Sequence, residues 1–80
     1  MLWVTMTDKF MSGWGMAEGK TNKMVIECET WEQAETIARN AKKRSEMRYV
    51  NICINKPRYN LNKVYPSFKT YKELGKIWKE

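Results

Sequence analysis

Residues 23–54, KMVIECETWEQAETIARNAKKRSEMRYVNICI, decide the fold. They read as strand, helix, strand: KMVIEC, then TWEQAETIARNAKKR, then RYVNICI. The helix start is the sharpest local signal. Thr30 followed three residues later by Gln33 matches a capping box, whose side chains satisfy orphan N–H groups of the first turn. Glu29, Glu32 and Glu35 lie near that end, and Arg39, Lys42, Lys43 and Arg44 near the other, as the helix dipole favours. Trp31, Ala34, Ala38 and Ala41 share one face, with Ile37 at its margin. The spacing therefore predicts a helix over 31–44 whose small-residue stripe lies close against a sheet.

Working outward, Leu2, Val4 and Met6 alternate with Trp3, Thr5 and Thr7, which predicts a half-buried strand. In the next strand Met24, Ile26 and Cys28 oppose Val25 and Glu27; in the third, Val50, Ile52 and Ile54 oppose Tyr49, Asn51 and Cys53. The fold class expected is α+β: a three-stranded, mostly antiparallel sheet in β-β-α-β order with one main helix on one face. A β–α–β crossover is right-handed and makes strands two and three parallel. Strand one then fits between them, and the order 2-1-3 is preferred over 1-2-3. Trp3, the following loop and the tail are expected to cover the open face; uncovered, it would be a homodimer surface.

Eighty residues form one small domain, with its core in 2–56 and an irregular basic and aromatic segment over 57–80. At 42% hydrophobic and 30% charged, the composition is that of a folded globule. No run approaches the roughly 18 apolar residues of a spanning helix, and the N-terminus has no signal-peptide pattern, so the expected setting is a reducing cytoplasm without a membrane partner. Cys28 and Cys53 fall in two different predicted strands and are expected to be buried free thiols. The net charge of +6 is unevenly spread: residues 1–38 carry three basic against six acidic side chains, and residues 39–80 twelve against three. Such asymmetry suits a polyanionic or acidic partner for the C-terminal half.

Between the first two strands lies DKFMSGWGMAEGKT, in which Gly13, Gly15 and Gly19 flank large apolar side chains. A compact, shaped loop is expected. Gly19-Lys20-Thr21 is not a phosphate loop, because Trp14 stands where the motif needs its first glycine and a strand follows. Exposed, Phe10, Met11, Trp14 and Met16 would make a partner-binding surface; folded back, they would be core.

The run TMTDKFMSGWGMAEGKTNK, with the following strand and ECETWEQAE, resembles small uncharacterised proteins encoded by tailed bacteriophages. The resemblance continues through RSEMRYVNI and the Lys56-Pro57 step, covering about residues 4–57. It implies a phage protein working in a bacterial cytoplasm, and it carries over no activity and no site residues.

After Pro57 the chain reads as irregular, with Asn60, Asn62 and Pro66 as turn formers. From Thr70 a second capping box with Glu73 predicts a short helix, with Phe68, Tyr71, Leu74 and Trp78 near one face. Histidine is absent, which removes Ser/His and Cys/His nucleophile pairs and ordinary histidine metal sites. Glu27 and Glu29 read as solvent-facing charges. A non-enzyme without cofactor, metal or catalytic residues is expected.

Two functions remain. The preferred one is a small interaction protein that binds and modulates a host protein through the glycine loop. The alternative is a nucleic-acid-binding module. There Arg39, Lys42, Lys43, Arg44 and Arg48 would form one phosphate-facing patch at the helix end. Arg58, Tyr59, Lys63 and Tyr65 would extend it with rings and cations.

Overall fold

The computed structural model describes residues 1–9, 12–13 and 15–79, with the side chain of Met16 excepted. The alternating N-terminal segment forms β1, Leu2–Asp8. It is followed by β2, Thr21–Cys28; α1, Trp31–Lys42; and β3, Met47–Cys53. A further strand, β4, spans Val64–Thr70. The sheet order is β3-β1-β2-β4, with β1 antiparallel to both neighbours and β2 parallel to β4. The first three strands thus take the expected order, with β1 between the other two. The sheet, however, is mixed and four-stranded rather than three-stranded. Pro66 sits inside β4 because an edge strand needs only one side of its ladder and tolerates a missing N–H.

The Thr30 cap of α1 forms, but Gln33 reaches back to Glu29 N rather than to the Thr30 N–H that a capping box requires. Gln33 N donates to Thr30 Oγ1 at 3.1 Å, and Glu29 N donates to Gln33 Oε1 at 2.9 Å. The buried side chains of the helix are Ala34, Ile37, Ala38, Asn40 and Ala41. Ile37 is therefore in the middle of the stripe, not at its margin, because it lies one turn from both Ala34 and Ala41. Trp31 at the first helical position lies outside the packed surface, 53% exposed, with its Nε1 hydrogen-bonded to Glu35. Against this stripe the sheet sets Val4, Met6, Ile26 and Cys28, and Met47 and Trp78 belong to the same core. Burying one side chain of this size contributes about 1.5–3 kcal/mol, so Ile37 holds the helix and Trp31 adds little.

Strand β3 carries an extra residue. Asn51 pairs with Thr5, Arg48 with Thr7 and Met47 with Asp8, so β3 spends three steps where β1 spends two. Tyr49 takes up the difference in the left-handed region, at φ 55°. The Asn51 side-chain amide steadies the bulge by donating to Tyr49 O at 3.2 Å. Strict alternation would put Met47 and Val50 on opposite faces; the bulge turns both toward the helix.

The other sheet face is also covered. Thr5, Thr7 and Val25 on that face are buried. Lys56, three residues past the end of β3, holds its Nζ 5.2 Å from the centre of the Phe68 ring on β4. The β3–β4 connection therefore runs across this face, opposite α1. The two crossovers traverse the sheet in opposite directions on opposite faces, and so have the same hand.

The expected C-terminal helix is not formed. Residues 64–70 belong to β4, and two single 3-10 turns, Tyr71–Glu73 and Lys76–Trp78, come after it. The Thr70–Glu73 capping box is present. Gly75 then takes an extended conformation, φ −71° and ψ 169°, which leaves too few residues on either side to nucleate a helix. Tyr71, Leu74 and Trp78 pack on the core, whereas Phe68 stays in the strand, 48% exposed. Asn40, buried on α1, donates its amide to Trp78 O at 2.8 Å and ties the tail down.

Cys28 and Cys53 are both free. They pair with the successive residues Leu2 and Trp3 on either side of β1, so their thiols point to opposite faces and cannot meet. Cys28 is buried as expected, but Cys53 is only half-buried.

Candidate functional site

The proposed loop anchors Phe10, Met11 and Trp14, and the side chain of Met16, lie outside the described residues. The residues around them are well tied. Ser12 donates from N and Oγ to Asp8 O at 3.1 and 2.7 Å, and its Oγ accepts from Asn22 N at 3.0 Å. Gly13, at φ 82°, donates to Lys20 O at 3.1 Å, a closure that favours glycine. Thr21 opens β2, so no helix follows Gly19-Lys20-Thr21.

The helix-end cations divide into three settings. Arg39, Lys42 and Lys43 line one groove of about 420 Å³ between α1 and β3, together with Glu35, Ala38 and Ile52. Arg44 turns elsewhere: its Nε lies 2.9 Å from Glu46 Oε1, and its guanidinium stacks 4.6 Å from the centre of the Trp78 ring. The Glu46 carboxyl is held below its usual range, first by its backbone hydrogen bond and then by Arg44. Arg48 is exposed beside the β3 bulge, paired with Thr7 on the face away from α1.

The second group is also spread out. Arg58 shares a shallow pocket with Asn55, Lys56 and Pro57. Tyr59 lies near Cys53, and burial followed by that neighbour's charge raises its phenol pKa. Lys63 accepts from Thr21 N at its carbonyl, at 3.1 Å, and Tyr65 pairs with Asn22, so both belong to the β4 edge. Three strand spacings, about 14 Å, separate that edge from β3. The structure thus brings Arg39, Lys42 and Lys43 together, and does not join Lys63 or Tyr65 to them.

Sequence reasoning missed Tyr49 and two of its neighbours. Tyr49 is 69% exposed, with Lys9 Nζ 5.9 Å and Lys23 Nζ 5.6 Å from its ring centre. Lys23 Nζ also donates to Thr7 Oγ1. Exposed cation–π contacts of this reach are worth about 0.5–1 kcal/mol. Neither glycine nor asparagine stands at the bulge position to mark it. The one available signal was Met47 and Val50, two apolar residues three apart in a segment otherwise of period two.

Glu27 and Glu29 line a depression with Thr70, Tyr71 and Lys72, and Lys72 Nζ stands 3.6 Å from Glu29 Oε1. Among the described residues there is no group of three or more His, Cys, Asp or Glu placed to hold a metal. Nor is any helix there long and apolar enough to cross a membrane. Comparisons with family models, with curated proteins and with solved structures return no match for this chain.

Proposed function

We propose that this chain is a non-enzymatic nucleic-acid-binding module whose primary contact is the basic groove between α1 and β3. The observation that carries the reading is the convergence of Arg39, Lys42 and Lys43 on one groove, in which Glu35 is the one lining carboxylate among the described residues. Ile52 and Ala38 contribute apolar surface to the same groove, over which a sugar–phosphate backbone can lie. Cations in such a setting displace condensed counterions from phosphates, giving affinity without sequence preference. The setting proposed is the cytoplasm of a phage-infected bacterium. The host-protein reading rests on Phe10, Met11, Trp14 and the Met16 side chain, which lie outside the described residues.

Titration with single-stranded and duplex oligonucleotides at two salt concentrations tests the proposal. Three groove cations on duplex DNA predict a log–log salt slope of about −2.7 from the groove alone. The double substitution Lys42→Glu and Lys43→Glu should flatten the slope by about 2 and weaken all sequences alike. No binding at about 50 mM salt to either form overturns the proposal, salt screening being weak there. Capture of a bacterial protein that persists after nuclease treatment, with no oligonucleotide binding, would favour the host-protein function.

A further inference from the structure

We infer that the β3 bulge is a base-stacking site, so that the nucleic acid taken by this chain is single-stranded; the inference rests on the nucleic-acid reading above. The bulge itself needs only a backbone in the left-handed region, which glycine enters most readily and asparagine next. Tyr49 sits there instead, at φ 55°. The residue is 69% exposed and forms no part of the apolar core, so the fold does not call for an aromatic side chain at this position. A local cost is retained for a ring that faces solvent.

The surroundings match one chemistry. Two ammonium groups, of Lys9 and Lys23, stand near the ring, and exposed Arg48 adjoins it in sequence. An aromatic face among cations on a sheet surface is the arrangement that stacks a base and neutralises the phosphates beside it. Both lysines are near the outer limit of cation–π range, at 5.9 and 5.6 Å. Their flexible stems let an incoming base take a ring face while the ammonium groups move to phosphate oxygens. A duplex keeps its base faces stacked inside and cannot use the ring. Because Ile52 lines the basic groove on one side of β3 and Tyr49 stands out on the other, a single strand can engage both sides of one edge strand.

Fluorescence anisotropy with a labelled oligothymidylate of about ten nucleotides, and with a blunt duplex of equal length, tests the inference on the full chain. Tyr49→Gly should weaken single-strand binding about ten-fold or more, leave the duplex affinity and the salt slope unchanged, and leave Tm equal or raised. Tyr49→Phe should bind like the parent, since the π face is kept. Tyr49→Leu, which keeps bulk without that face, should bind like Tyr49→Gly. Substituting Lys9→Gln and Lys23→Gln together should flatten the single-strand slope by about 1.4. Parental single-strand affinity in Tyr49→Leu overturns the inference, as does a parent that binds the duplex alone; the module reading survives either result. A parent that binds neither form overturns both.

Discussion

Truncating Trp78 to alanine should remove a large share of this protein's stability, although the residue is two positions from the C-terminal end. Trp78 is 9% exposed and belongs to the core with Ala41 and Met47. Its backbone carbonyl is held by Asn40, and Arg44 stacks on its ring. Removing a buried aromatic side chain costs about 3–5 kcal/mol. An 80-residue domain holds only about 4–12 kcal/mol in total. At about 4–8 °C per kcal/mol for a domain of this size, Tm should fall by at least about 12 °C. Thermal melts followed by far-UV circular dichroism measure the shift, with Trp31→Ala as the exposed control. Trp31 is 53% exposed, and its loss should move Tm by no more than a few degrees. Equal small shifts for both variants would refute the reasoning, because the tail would then not be part of the core.

The two cysteines should differ in reactivity. Burial, reinforced by Glu27, pushes the Cys28 thiol up to about 11, so native protein should label at half-buried Cys53 and take up a second equivalent only in denaturant. Equal labelling of both thiols in the native state would contradict this. Glu46 should contribute to acid sensitivity. Its folded pKa is depressed, so its contribution is complete above the unfolded value near 4.5 and lost as pH falls through the folded one. Urea titrations across that window should show a shallower loss of stability in Glu46→Gln than in the parent.

Much of the fold was legible because local and tertiary preferences agree over residues 2–53. Strands β1 and β2 show period-two alternation, the Thr30–Gln33 cap marks the helix, and the crossover makes β2 and β3 parallel, which leaves room for β1 between them. β4 was not legible, because its pairing with β2 is parallel and remote in sequence, and Pro66 reads locally as a turn former. The weight given to Trp31 over Ile37 was a misreading of the helix face: periodicity fixes a stripe but not where the sheet beneath it ends. Of the candidate site, the groove trio was visible as a charge cluster. Arg44 was lost to a partner, Glu46, only two residues away. Tyr49 was passed over because the register shift around it is marked only by the spacing of Met47 and Val50.

The central position of β1 bears on how the chain is made. This strand emerges from the ribosome before either of its neighbours, with both edges unpaired. β2 can join it through the glycine loop, but β3 closes the other edge only after α1 has been synthesised. Partners as far apart as Trp3 and Cys53 raise the contact order and slow the final closure. During that interval Val4 and Met6 are presented on a strand with an open edge, the condition under which nascent chains pair with one another. Two devices limit the same hazard in the finished molecule, Pro66 on one outer strand and the Tyr49 bulge on the other.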